Sequence, residues 1–217
     1  QEAGTVYGLT EWCRQRIPSA RLLSNPGCYA TSILLGVLPL FAAQAVEGDQ
    51  IIVDAKSGLS GAGRKADTAL LFTEMAGNLR AYKVNQHQHM PEITQTIRRL
   101  TGAVARLTFV PQVIPVERGL ISMIYAKTAL PFDAIVEAYR AAYPPQRAPF
   151  VRLRIGALPQ LKDVVGTNYC DIGLVDDAAN GQVIIASALD NLTKGAAGQA
   201  VQNFNLMYGF PETMGLQ

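Results

Sequence analysis

The chain has 217 residues, 49% of them hydrophobic and 17% charged, with a formal net charge of +2. Such a balance supports a sizeable core and excludes a disordered chain, and no basic block or acidic run marks a nucleic-acid binder or a solvating tail. The longest apolar run, 33–43, holds Gly36 and Pro39 and is shorter than the ~20 residues that cross a bilayer.

Cys13, Cys28 and Cys170 are odd in number, widely spaced and free of any C-x-x-C, which argues against a disulfide scaffold and a cysteine-rich zinc site and fits a reducing cytoplasm. The chain starts at Gln1 without the features of a signal peptide. That start is expected of a fragment of a longer soluble chain, or of tag removal or processing.

In chain order, 22–23 reads as the end of a short strand, 28–43 as a helix, 50–55 as a strand, and 67–75 and 92–100 as helices. Strands at 106–110 and 120–128 follow, then a helix at 133–143 that stops at Pro144-Pro145. Strands at 150–155, 170–175 and 182–189 lead to a last helix at 192–208. Residues 176–181 read as a hairpin loop and 117–119 as a tight connection, so part of the sheet is expected to pair antiparallel. The last helix carries Leu192, Ala196, Ala200 and Phe204 at four-residue spacing, which reads as a buried stripe. Gly195 and Gly198 inside it cost roughly 1 kcal/mol each against alanine, which tight helix packing or close approach of a backbone or ligand would explain. The sum is an α+β fold, a mixed and largely antiparallel sheet covered by helices. No G-x-G-x-x-G follows a strand near the start, so no dinucleotide-binding half is visible.

Residues 24–31, Ser-Asn-Pro-Gly-Cys-Tyr-Ala-Thr, carry the most chemistry. Asn25 suits an N-cap and Pro26 the first helical position, which puts Cys28 in the first turn of a helix. There the helix dipole and free N–H groups favour a thiolate, and the N–H of Cys28 offers an oxyanion donor. From spacing alone a small buried hydrophobe is the competing reading. Cys13 and Cys170 lack this setting and read as structural.

These residues resemble the N-acetyl-gamma-glutamyl-phosphate reductases, a family of arginine biosynthesis. The likeness runs in register through Val6-Tyr7-Gly8-Leu9, Asn25-Pro26-Gly27-Cys28-Tyr29, the Gly/Ser-rich stretch from Lys56 to Arg64, Ala81-Tyr82-Lys83-Val84 and His87-Gln88-His89-Met90-Pro91-Glu92. It continues through Arg118-Gly119, Asn168-Tyr169-Cys170-Asp171 and the stretch from Asp190 to Ala200. Ala30, Gln88, Met90 and Glu117 depart from the usual family residues. The resemblance implies a C-terminal domain like that of glyceraldehyde-3-phosphate dehydrogenase, with most of an N-terminal dinucleotide-binding domain missing. Residues 1–190 would be the catalytic, substrate and oligomerisation domain. Residues 191–217 would form a helix that packs towards the missing domain.

The implied chemistry is reduction of an acyl phosphate by NADPH through a cysteine thioester on Cys28. His87 and His89, the only two histidines, are the acid/base candidates, with the division between them open. Residues two apart in an extended segment point the same way, so one could face Cys28 while the other supports it. Glu92 is available to pair with a histidine, and a metal reading lacks a third ligand. The resemblance puts Ser57, Gly58 and Asn191 on the cofactor side, with an N-cap role also open for Asn191. Asn25 is placed on the substrate side, Arg64 is a candidate for the phosphate, which a guanidinium can grip with two bonds, and Arg80, Lys83 and Arg118 are candidates for the substrate α-carboxylate; judged alone, each of these four reads as a solvated surface charge. No nucleic acid or membrane partner is expected, and self-association through the sheet, as a homodimer or homotetramer, is. The rivals are an aminoadipyl-phosphate reductase of lysine biosynthesis, more distantly an aspartate-semialdehyde dehydrogenase, and an inactive isolated substrate and dimerisation domain.

Overall fold

The computed structural model describes residues 4–63 and 66–216. Strand β1 (Thr5–Tyr7), the one-turn helix α1 (Thr10–Cys13) and strand β2 (Leu22–Ser24) open the chain, with β1 and β2 paired parallel as a separate ribbon. Then come α2 (Cys28–Ala42), β3 (Gln50–Gly58), the short α3 (Phe72–Met75), the two-residue β4 (Arg80–Ala81), α4 (His89–Thr101), β5 (Arg106–Ile114) and β6 (Leu120–Lys127). The chain ends with α5 (Phe132–Ala142), β7 (Val151–Ile155), β8 (Cys170–Asp177), β9 (Gln182–Leu189) and α6 (Gly198–Tyr208).

The main sheet has the order β4-β5-β3-β6-β9-β8-β7. Its β3/β5 and β7/β8 pairs are parallel and its other four pairs antiparallel, so the expected mixed, largely antiparallel α+β fold is what forms. Residues 178–181 close the β8–β9 hairpin as expected. Residues 117–119 do not close one, because β3 lies between β5 and β6. That connection instead crosses over the end of β3.

Helix α2 is apolar on every side and buried from Tyr29 to Phe41, as an interior helix must be. It packs on β6, β9, α4 and α5. Pro39 lacks the N–H that would reach Leu35 O. Tyr143 Oη of the segment after α5 donates to that carbonyl at 2.6 Å, and Tyr139 Oη donates to Gly36 O beside it. Two tyrosines thus mend the gap that the proline leaves. On β3, Ile51, Val53 and Ala55 face this core, while Ile52, Asp54 and Lys56 alternate to the opposite face, which is more exposed.

Two expectations fail in instructive ways. Residues 67–75 do not form one helix: a 3-10 turn at Thr68–Leu70 is broken from α3 by extended backbone at Leu71. Phe72, 84% exposed, has no core to pack on. The stripe Leu192, Ala196, Ala200, Phe204 is not buried, with Phe204 50% exposed and Leu192 39%. The inward face of this segment is polar: Lys194, Gln199, Gln202, Asn203 and Asn205. Gln199 and Asn203 donate to Gly8 O at 2.7 and 2.8 Å, and Thr10 donates to Asn203 Oδ1 at 2.8 Å, so side-chain amides fix this helix to the backbone of 8–10. A four-residue period marks a face without saying which side the core is on.

Candidate active site

Cys28 is the first residue of α2, and Gly27, not Asn25, precedes it as the cap position. Asn25 is used differently. Its Nδ2 donates to Ala196 O at 3.0 Å and its Oδ1 accepts from Asn203 Nδ2 at 3.2 Å, tying the approach to α2 to the C-terminal segment. Pro26 accordingly lies before the helix. Cys28 is half-buried, whereas Cys13 and Cys170 are buried.

Burial pushes the Cys28 thiol up to about 11, the N–H groups of Tyr29 and Cys28 pull it down, and the Glu92 carboxylate adds a smaller rise. The sequence reading expected a lowered value. The helix-terminus effect is present, but loss of water outweighs it.

His89 is the first residue of α4, so the N-termini of α2 and α4 meet. Gln88 is already helical, with φ −59° and ψ −20°, so this segment is not extended and the two imidazoles turn towards each other, 4.6 Å apart. The His89 ring lies against Gly27, where a Cβ would overlap its Nε2 edge. Its Nδ1 is buried with no hydrogen-bond partner among the described residues. His87 packs edge-on against Tyr29, Tyr82 and Phe109, and its Nδ1 accepts from His89 N at 3.2 Å. Burial lowers the pKa of His87 to about 4, with His89 and Lys83 adding to the fall. Burial lowers that of His89 too, against the pull of Glu92. Both imidazoles are therefore neutral at pH 7. Glu92 Oε1 accepts from Tyr7 Oη at 2.8 Å and from Gly27 N at 3.1 Å rather than from a histidine.

A cleft of about 530 Å³ opens over the thiol, lined by Asn25, Cys28, Tyr82, both histidines and Asn191, with Ser60 and Ala196 at its sides. Asn191 is buried: its Oδ1 accepts from Gly119 N at 2.8 Å and its Nδ2 donates to Ser60 Oγ at 2.9 Å. Capping of the following turn falls to Asp190, whose Oδ1 accepts from Leu192 N at 2.7 Å. That turn, Thr193–Ala197, is π-helical and leads into α6. A Cβ on Gly195 would stand 2.8 Å from Cys28 Cβ, and one on Gly198 would overlap Asn168. Both glycines thus answer to close approach within the chain.

Ser57, Gly58, Arg80, Lys83 and Arg118 do not line this cleft. Ser57 is buried, and Gly58 donates its N–H to Gly119 O at 2.9 Å with the Glu117–Arg118 backbone over its α-carbon. Arg80 is exposed on β4, and Lys83 is exposed with Nζ 3.4 Å from Gln88 Oε1. Arg118 Nε lies 3.3 Å from Asp190 Oδ2. Arg64 lies outside the described residues. The sequence reading gave no role to Tyr82 or Lys194, and took Ser60 only as part of a Gly/Ser-rich stretch that could cradle phosphate or the nicotinamide end of a cofactor. Tyr82 and Ser60 carry no spacing signal; a lysine amid small residues in a predicted helix was the one available for Lys194.

Residues 28–191 match the family model described as semialdehyde dehydrogenase, dimerisation domain. The chain is 53% identical over 214 residues to N-acetyl-gamma-glutamyl-phosphate reductase of Geobacillus thermodenitrificans (strain NG80-2), covering 97% of this chain and 62% of that protein. It is 52% identical over 215 residues to the protein of that name from Geobacillus kaustophilus (strain HTA426), again covering 62% of the relative. The chain thus spans less than two thirds of the length of these relatives. Among solved structures, aspartate semialdehyde dehydrogenase II from Vibrio cholerae superposes with a TM-score of 0.74 at 18% identity, covering 96% of this chain and 69% of that one. A probable aspartate-semialdehyde dehydrogenase from Pseudomonas aeruginosa gives 0.71 at 20% identity, covering 96% and 70%. At such identities the likeness shows the fold.

Proposed function

The chain belongs to the semialdehyde dehydrogenase dimerisation-domain family, and from that premise we propose that it is the thiol-bearing part of an enzyme that reduces N-acetyl-gamma-glutamyl phosphate to N-acetylglutamate semialdehyde with NADPH. The observation that carries the reading is the meeting of two helix starts, one ending in a half-buried thiol and the other in an imidazole laid against the neighbouring Gly27. The relatives' printed name supports the substrate.

The resting pair is thiol and neutral imidazole, given the raised Cys28 and the lowered His89. As a substrate carbonyl arrives, the Cys28 proton passes to His89 Nε2, the edge that lies by Gly27. The thiolate bonds to the acyl carbon, the carbon–oxygen bond to phosphate breaks, and the imidazolium proton leaves with the phosphate. The N–H groups of the first turn of α2 face the carbonyl oxygen as it becomes anionic. His87, an acceptor at Nδ1, holds the backbone of His89 and so the ring above it. NADPH, when bound, would supply the hydride that the Cys28 thioester needs, and the same N–H groups of α2 would hold the oxyanion so formed. Collapse of that oxyanion frees the aldehyde and regenerates the thiolate, which takes a proton from solvent.

The cleft suits the nicotinamide end of such a cofactor. Its wall at Gly195, Ala196 and Ala197 has no large side chain, and Asn191 stands at its edge. Asn191 would hold that end, while Ser57 and Gly58 shape the loop behind it. Arg80, Lys83 and Arg118 remain the candidates for the substrate carboxylate, which would draw one of them over the cleft. The sheet face that α2 does not cover, with Ile52, Met123 and Tyr125, is the proposed self-association surface. A cytoplasmic enzyme is the setting that three free cysteines favour.

The test is turnover by the full-length protein: NADPH consumption and phosphate release should match one to one with N-acetyl-gamma-glutamyl phosphate, and Cys28→Ser should abolish both. Unimpaired turnover by Cys28→Ser would sink the reading.

A further inference from the structure

Lys194 is a charged residue with no direct part in the chemistry above, yet its side chain is fully buried. Its Nζ donates to Glu11 Oε1 and to Gln202 Oε1, each at 2.7 Å. Gln202 Nε2 in turn donates to Glu11 Oε1 at 3.1 Å and to Glu212 Oε1 at 2.8 Å, and Arg14 holds Glu212 at 2.6 Å. The Glu11 side chain is also at 0% exposure. A buried ion pair is weak evidence for stability, because desolvation offsets the attraction. Its geometric effect is more direct: it fixes the π-helical turn Thr193–Ala197 to α1. The residue after Lys194 is Gly195, the wall behind Cys28, and the next is Ala196, whose carbonyl receives Asn25 Nδ2.

We infer that the buried Lys194–Glu11 pair is a positioning device for the nucleophile: it sets the depth of the π-helical turn, and the turn sets where Cys28 and Asn25 stand in the cleft. The inference rests on the proposed reaction only for its kinetic readout. The role of Lys194 is positional, since its ammonium is enclosed by Glu11 and Gln202 and does not line the cleft.

The test uses the full-length protein with Glu11→Gln and Lys194→Met combined. This removes both charges, avoids leaving one stranded, and provides an amide that can donate to Gln202 Oε1. Three quantities are measured: the melting temperature, kcat and KM, and the rate of iodoacetamide alkylation of Cys28 against pH in the absence of substrate. The expected result is a kcat lower by about 10²-fold with KM little changed, the scale of a ~1 Å misplacement, and an alkylation profile displaced from the parent's. Two results would overturn the inference. One is a folded double variant with the parent kcat and alkylation profile. The other is a loss of kcat that only tracks loss of folded protein, the remaining folded fraction being alkylated as the parent is. Alkylation needs no substrate, so it decides the inference even if the parent proves inactive on N-acetyl-gamma-glutamyl phosphate. That inactivity would count against the proposed reaction alone.

Discussion

Gly195 backs directly onto Cys28: a methyl group added to Gly195 would lie 2.8 Å from the Cβ of Cys28, 3.1 Å from Leu189 Cδ1 and 3.2 Å from Asp190 O. Two effects of Gly195→Ala oppose each other. Helix propensity gains about 1 kcal/mol, while overpacking a filled site costs ~1–3 kcal/mol. Backbone and core side chains surround the new methyl, so the clash should win, with a net destabilisation of about 1–2 kcal/mol by denaturant melts. Displacement of Cys28 should also lower kcat by about 10²-fold. A variant with unchanged activity and higher stability would show that the wall yields.

The thiol prediction follows from its surroundings. With Cys28 raised to about 11, its alkylation in the substrate-free chain should climb throughout the neutral and alkaline range rather than level off near pH 7. Burial is the main reason that the thiol is raised and the His89 imidazole lowered; Glu92→Gln retains an acceptor for Tyr7 Oη and Gly27 N but removes the charge that adds a smaller rise to the thiol and partly offsets the fall of the imidazole. The variant should therefore alkylate faster at pH 8 while its turnover falls, because the base is weaker. Alkylation slower than the parent's would contradict the assigned electrostatics.

The strand pattern was legible because β3, β6, β8 and β9 carry Val and Ile between turn residues, and their neighbours in sequence set the ends. The pairing of β5 with β3 was not, since a parallel partner leaves no hairpin in the sequence. At the site, Cys28 was legible at a helix start, but its acidity was not: the charge on a sulfur depends on how much water α4 and the turn at Gly195 exclude, and both are distant in sequence. The Asn25 cap failed for the same kind of reason, because Ala196 and Asn203 compete for its side chain. The stripe through Phe204 was legible as a face and assigned to the wrong side, since nothing local says that amides can be the buried set.

His87 makes stability depend on pH with a defined sign. Its pKa falls from an ordinary 6.5 to about 4 in the folded chain through burial among Tyr29, Tyr82 and Phe109, with His89 and Lys83 adding to the fall. Between those values the unfolded chain binds the extra proton, so stability rises with pH there. The contribution is complete above pH 6.5 and is lost as pH falls towards 4. Glu11, held low by Lys194 although burial alone would raise it, loses its contribution at more acid pH. Melting temperatures taken from pH 8 to pH 4 should decline from about 6.5 downward, and His87→Gln should flatten that part of the curve. An unchanged slope in His87→Gln would assign the decline to other groups.

Phe204, Tyr208 and Phe210 form an exposed aromatic group, with Phe204 and Tyr208 rings 4.6 Å apart and Phe204 and Phe210 stacked at 6.0 Å. Ala196, Ala197 and Ala200 on the same segment border the cleft. An apolar face of this kind on a helix whose polar side is already buried calls for cover, and a dinucleotide-binding domain docked there would place a cofactor beside Cys28. Phe204→Glu separates that role from folding. In the 217-residue chain the half-exposed side chain loses only its ring contacts with Tyr208 and Phe210, so melting should shift by about 1 kcal/mol, and solubility should improve. In the full-length protein the buried carboxylate would disturb the docked domain, and the KM for NADPH should rise well before kcat with saturating cofactor falls. A full-length Phe204→Glu variant with the parent KM for NADPH would leave this face without that partner.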